Sequence, residues 1–349
     1  MAEAKGKKRS LNESIIGRRN RRRKQWKTIF KVLGAVLFCV FFLGLGYAAT
    51  EVLLRVSETP IPAAELPAAT QSAAEKEDTA VVKTEPLRAM YYPAANLGNA
   101  AAAAKFIEEA QAAGANAVVF TAKDTLGFLS YGTTVAVAEE IKSDRNAKPG
   151  ASNTLKAFEE AGLRTVAAVS AFRDDLAAGA KPEYAIQLKG SKVTAWKDTK
   201  GRRWLNPWSA EGRAYLCSIV KELAAIGIDD ILLTDVCFPS DPLAQTVFPG
   251  QSDLSVNGRN QILLQFISEA KTAAGEARLI VSMPAKVALD GSQAWGGDLW
   301  KAETDVFAID TRDAPWMSSN VWGGTKPVVE IPSAAPADMG KGSYILLAE

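Results

Sequence analysis

The chain has 349 residues, of which 48% are hydrophobic and 23% charged, enough apolar material for a large core and too much for a disordered protein. It contains no histidine, which excludes Ser-His and Cys-His nucleophile pairs and histidine metal sites and leaves Asp, Glu, Lys and Tyr for any acid–base chemistry. The net charge of +2 joins unlike parts: residues 1–31 carry 12 Lys or Arg against Glu3 and Glu13, a net of +10, so the remaining 318 residues sum to −8.

Residues 32–50, VLGAVLFCVFFLGLGYAAT, carry no charge, and a run of about 20 apolar residues spans a bilayer core as a helix. The run is longer than the ~7–15 residues of a cleaved signal, and no clean small-x-small site follows it. One transmembrane helix is therefore predicted. Basic flanks stay in the cytoplasm, so the arm at 1–31 is expected inside and everything after 50 outside, as in a single-pass cell-membrane protein. By composition alone, KGKKRS and RRNRRRKQWK would suit nucleic acid. Beside a span they serve topology and attraction to anionic headgroups, and no nucleic-acid partner is expected. Cys39 falls in the span, while Cys217 and Cys237 have no metal-ligand spacing. Neither metal nor cofactor is expected.

Residues 51–86, with Pro60, Pro62 and Pro67 among Ala, Glu and Thr, lack both apolar periods and read as a disordered, extended linker. From residue 87 strands and helices alternate. Eight apolar runs are predicted as strands: 87–92, 116–121, 164–170, 230–235, 278–283, 305–310, 327–331 and 343–348. Helices are predicted at 99–113, 152–161, 209–226 and 257–274. Gly114, Gly162, Gly227 and Gly275 are their stops. The clearest unit is 205–241: Ser209 caps a helix whose Leu216, Ile219, Val220 and Leu223 form one apolar stripe, with Arg213, Lys221 and Glu222 on other faces. Eight units in residues 87–349 fit a (β/α)8 TIM-type barrel. A doubly wound sheet is the alternative, and it would not need an eighth strand.

In such a barrel the loops after the strands form the active face. The longest, 171–208, holds Arg173, Asp174, Trp196, Trp204, Asn206 and Trp208. Tryptophans with polar neighbours suit sugar rings, which have an apolar face and a polar rim; equally, they can pin a long loop to the barrel.

The motif order resembles the glycoside hydrolase-like domains of bacterial single-pass membrane proteins, a (β/α)8 group. The resemblance rests on ANAVVFTAKDTLGFLSY, AFRDDLAAGAKPEYAI, WKDTKGRRWLNPWSAEGRAYL and IDDILLTDVCFPSD. It implies a domain that acts on or binds an envelope or extracellular polysaccharide such as cell-wall glycan. It also implies acids at the ends of strands two and four and just after strand five, where this chain has Thr121, Thr234 and Pro284. Lys123, Asp124, Val236, Phe238 and Pro239 are retained, Cys237 replaces an Arg, and Asp235 stands one residue past the usual acid. A shift of one residue points a strand side chain to the opposite face, so Asp235 is expected toward the helix layer unless the strand bends.

Glycoside hydrolysis needs two carboxyl groups, about 5–9.5 Å apart according to stereochemistry. The strand-end candidates are Asp235 and Glu330 as the pair, with Asp124 or Asp310 as alternative partner and Asp313 behind them; Arg173, Trp204, Asn206, Trp208 and Arg312 are candidate substrate contacts. For each acid a loop-closing ion pair or helix cap is the competing role. If the acids have been lost without relocation, the barrel is a pseudoenzyme that binds glycan or scaffolds another protein.

Overall fold

The computed structural model describes residues 85–291, 294–314 and 326–347. The basic arm, the apolar run 32–50 and nearly all of the linker lie outside them. Among the described residues, no helix is long and apolar enough to cross a membrane.

All eight predicted strands form. They are β1 (Arg88–Tyr91), β2 (Ala117–Lys123), β3 (Arg164–Ser170), β4 (Asp230–Thr234), β5 (Arg278–Pro284), β6 (Val306–Asp310), β7 (Val328–Ile331) and β8 (Tyr344–Ile345). Each pairs in parallel with its neighbours, and β8 pairs with β1 to close the barrel. The doubly wound alternative is thereby excluded, since an open sheet has two unpaired edges.

Parity along the strands decides what faces inward. Ala89, Val119, Val166, Ala168, Leu232, Ile280, Ala308, Val329 and Ile331 form the buried cluster inside the barrel, whereas Val118, Phe120, Val169, Leu233, Val281, Phe307 and Ile309 belong to the larger core beneath the helices. With period-2 alternation, the inward positions nearest the carboxyl ends are Thr121, Ser170, Thr234, Ser282, Pro284 and Asp310. That ring is the floor of the site.

The predicted helices appear as α1 (Ala100–Ala112), α3 (Ala151–Glu160), α5 (Ala210–Ala225) and α6 (Val256–Ala274), with short α2 (Ala136–Glu140), α4 (Asp175–Ala180) and α7 (Ala285–Asp290) between them. The short ones escaped prediction because five or six residues cannot show a full apolar period. In α5 the Ser209 hydroxyl accepts from the Gly212 amide at 3.1 Å, the stripe from Leu216 to Leu223 is buried, and Gly227 takes φ +91. Arg213, off the apolar stripe, is nevertheless buried: its Nε donates to Glu269 at 2.8 Å and its Nη1 to the Pro207 carbonyl at 2.8 Å, tying α5 to α6. Glu222 is also used, accepting from Tyr131, Thr133 and Thr134 so that it clamps the loop after β2.

At the opposite, amino-terminal end, Asp230 is fully buried and accepts from Arg164 and Arg278, which joins β3, β4 and β5. Above the carboxyl face, the loops after β3 and β4 meet in a short antiparallel pair, Gln187–Leu188 with Thr246–Val247. The two longest connections around the site therefore brace each other.

Candidate functional site at the carboxyl ends of the strands

The ring of inward residues opens into a cavity of about 450 Å³ lined by Thr121, Lys123, Asp124, Ser170, Arg173, Thr234, Asp235, Ser282, Pro284, Trp295, Asp310 and Arg312. It lies where a (β/α)8 barrel carries its site. All three positions at which the resemblance implied an acid, Thr121, Thr234 and Pro284, face this one cavity. Three carboxylates remain around them.

Asp235 enters by a backbone device. Alternation from Leu232 and Thr234 would turn it toward the helices, but its φ is +52, a left-handed conformation that few residues other than Gly, Asn and Asp adopt. The reversal ends β4 at Thr234 and brings the carboxylate back to the cavity, where Oδ2 accepts from the Ser170 hydroxyl at 2.8 Å and from the Thr234 hydroxyl at 3.3 Å. Non-glycine residues held at positive φ cluster at functional sites because surrounding contacts must over-determine them.

Asp310 points inward by simple parity and is held by Arg312, whose Nε donates to one oxygen at 2.9 Å and whose Nη2 donates to the other at 2.7 Å. The hydrogen bonding that Arg312 donates to Asp310 is the largest influence raising its proton affinity, and the charges of Asp310, Asp313 and Asp235 add to it. One guanidinium thus sits within the field of two of the three cavity carboxylates, Asp310 and Asp235. Asp124 has a loop-forming duty: its Oδ1 accepts from the amides of Leu126 and Phe128, each at 2.9 Å.

Glu330 is not part of this group. Its neighbours Val329 and Ile331 face the barrel interior, so Glu330 faces outward, paired across the ladder with Ile309 of the helix-side core and accepting from Thr311 at 2.8 Å. The Asp235–Glu330 pair expected from sequence is therefore not assembled: the two lie on opposite sides of the strand wall. Asp313 is exposed and does not line the cavity.

The register of β2 slips between Thr121 and Lys123, a bulge of the kind that re-aims side chains beside sites. Lys123 is fully buried; its Nζ donates to the Ser170 carbonyl at 2.7 Å and pairs with Asp174 at 3.0 Å. Asp174 also caps α4 by accepting the Ala177 amide at 2.7 Å.

The tryptophans divide. Trp204 is 7% exposed, gives its Nε1 hydrogen to Asp198 at 3.0 Å, and lies beneath the Arg173 guanidinium at 6.0 Å. Trp208 packs against Phe238 and Phe248 at ring-centroid distances of 4.9 and 5.4 Å. Asn206 is fully buried; its Nδ2 donates to the Pro249 carbonyl and its Oδ1 accepts from the Trp208 amide. Asn206 and Trp208 thus hold the turn, and neither lines this cavity. Trp295, from the connection after β5, lines the cavity instead. Sequence reasoning missed it: the connection 285–305 holds both Trp295 and Trp300, and nothing local says which of them reaches the strand ends.

Both described thiols are poor nucleophiles. Burial first, then the charge of Glu269, pushes the Cys217 thiol up to about 11; burial and the neighbouring charge of Asp235 push Cys237 well above its ordinary value. Among the described residues no cluster of Cys, Asp and Glu is arranged to hold a metal ion.

Residues 89–286 match the family described as "Putative glycosyl hydrolase domain". The chain belongs to this family. No curated protein matches it. Among solved structures, it is similar to a hypothetical protein from Ruminiclostridium thermocellum at 21% identity, covering 55% of this chain and 96% of that one, with a TM-score of 0.49. It is also similar to the PgaB (BpsB) glycoside hydrolase domain of Bordetella bronchiseptica at 14% identity, with 68% and 78% covered and a TM-score of 0.46. A family 20 exo-β-N-acetylglucosaminidase from Vibrio harveyi matches at 12% identity, with 71% and 41% covered and a TM-score of 0.49.

Proposed function

We propose that the domain at 87–349 binds a polysaccharide of the bacterial envelope without hydrolysing it, and is carried outside the cell on a span at 32–50 and a linker at 51–86. The observation that carries this reading is the cavity floor, where Thr121, Thr234 and Pro284 stand at the positions the family resemblance implies for acids. Hydrolysis needs one carboxyl group to donate a proton and another to attack or to activate water. The carboxylates left in the cavity are all acceptors of protein donors: Asp310 from Arg312, Asp235 from two hydroxyls, Asp124 from two amides. What the cavity offers is a rim of hydroxyl, carboxylate and guanidinium groups with one indole, Trp295, a set suited to a sugar's hydroxyls and apolar face.

A second reading, hydrolysis with relocated acids, draws on the left-handed backbone that brings Asp235 to the cavity beside Asp310. One comparison separates the two. The full-length chain, incubated with fragmented cell-wall glycan and exopolysaccharide, is expected to retain glycan on a pull-down while releasing no more reducing ends than Asp235→Asn. Turnover that Asp235→Asn abolishes overturns the binding-only reading. Protease digestion of the barrel on intact cells tests the orientation, and digestion only after lysis reverses it.

A further inference from the structure

Arg173 stands apart from the other cations of the site. Lys123 is matched by Asp174 and Arg312 by Asp310, but the buried Nε of Arg173 has no hydrogen-bond partner and its guanidinium makes no ion pair among the described residues. Its position is set from both sides. The Ser170 hydroxyl lies 3.0 Å from its carbonyl, which shares with Asp235 the one hydrogen that hydroxyl can donate, and its backbone bridges to that of Trp204, whose ring lies under the guanidinium.

Arg173 also belongs to two cavities. Besides the main one it lines a neighbour of about 440 Å³, with Asp198, Thr199, Lys200, Trp204, Ser240, Asp241 and Pro242. The two acids there are engaged by the loop itself. Asp198 accepts from the amides of Lys200 and Arg202 and from the Trp204 indole, and Asp241 accepts from the Thr199 amide at 3.0 Å; the Thr199 side chain first, then that amide and the charge of Lys200, hold its carboxyl below the usual range. Arg173 and Lys200 form no ion pair with either acid. Arg173 is therefore a cation without a direct partner among the described residues, while Lys200 is solvent-exposed and lends its charge to Asp241.

A buried guanidinium N–H left without an acceptor is costly, and such groups in native structures call for a partner that the protein itself does not supply. A planar guanidinium with several N–H donors is matched by a carboxylate or phosphate. Resting on the glycan-binding reading, we infer that the ligand is an acidic glycan: one sugar occupies the main cavity, and the oxyanion of the adjacent unit is received by Arg173 and Lys200 over Trp204. The oxyanion is either a uronic-acid carboxylate or a phosphodiester between sugar or polyol units, and the two are distinguished by experiment.

The test measures affinity of the full-length chain for three sets of tetramers: neutral gluco-oligosaccharides, the corresponding uronate oligosaccharides, and glycerol-phosphate oligomers bearing sugars. One acidic set is expected to bind about 10–100-fold more tightly than the neutral set, as a charge-assisted pair in a partly dry site provides, and which set does so names the source. In Arg173→Gln the ratio of acidic to neutral affinity is expected to collapse toward one, and in Arg173→Lys to recover in part. Equal affinity for neutral and acidic sets, with a ratio indifferent to Arg173→Gln, overturns the inference and leaves glycan binding standing. Absence of binding to all three sets, with the folded state verified by circular dichroism, overturns both.

Discussion

Asp174→Asn is expected to destabilise the barrel by about 3–5 kcal/mol, the usual cost of removing one partner of a buried ion pair. Lys123 and Asp174 have side chains with no exposure at all and stand 3.0 Å apart. The substitution keeps the size of the side chain and an oxygen able to cap α4, so what it removes is the charge that Lys123 needs. The Ser170 carbonyl at 2.7 Å cannot replace it, and water does not reach the ammonium. Asp230 makes a useful contrast, since it is equally buried but its partners Arg164 and Arg278 are 41% and 23% exposed. Asp230→Asn leaves cations that solvent can hydrate, and its cost is expected to be smaller. Equilibrium denaturant unfolding of the two variants checks both the size and the order. A loss below about 1 kcal/mol for Asp174→Asn, or a double variant Lys123→Met with Asp174→Asn no more stable than the single one, would show that the pair is not what holds β2 to the loop after β3.

The fold was legible because parallel strands covered on both sides must be apolar on both faces; 230–235 and 278–283 could not be much else. Strand parity placed Thr121, Thr234, Pro284 and Asp310 on one floor, and the same parity could have removed Glu330, since Val329 and Ile331 on either side of it take the inward positions. Asp235 is the opposite case. Its approach to the cavity depends on one backbone angle, which an Asp permits but does not announce. Trp204, Asn206 and Trp208 were read by residue type, yet whether an indole faces a ligand or a core depends on the loop pairing 187–188 with 246–247, a contact between segments nearly 60 residues apart. Local sequence does not encode such a contact.

Arg312→Met is expected to turn the site into a pH-dependent one. In the native protein the guanidinium holds Asp310 by two hydrogen bonds and feels the charge of Asp235. Without it, the two carboxylates share a cavity with less compensating charge, and like charges raise proton affinity. Their repulsion is then less compensated whenever both are charged, so stability falls as pH rises through the carboxylate range. Relative to wild type, the variant should be least impaired near pH 4 and most impaired at neutral pH. A hydrogen-bonded charge contributes about 1.5–3 kcal/mol, and because the Arg312 side chain is 34% exposed the deficit belongs at the lower end of that range. Glycan affinity should follow the same profile, since protonation restores hydroxyl-like donors where repelling charges would stand. Thermal unfolding and glycan titration between pH 4 and 8 provide the check. A deficit that does not change with pH would mean that Arg312 acts through packing of its stem, with the charge balance of the cavity set by other groups.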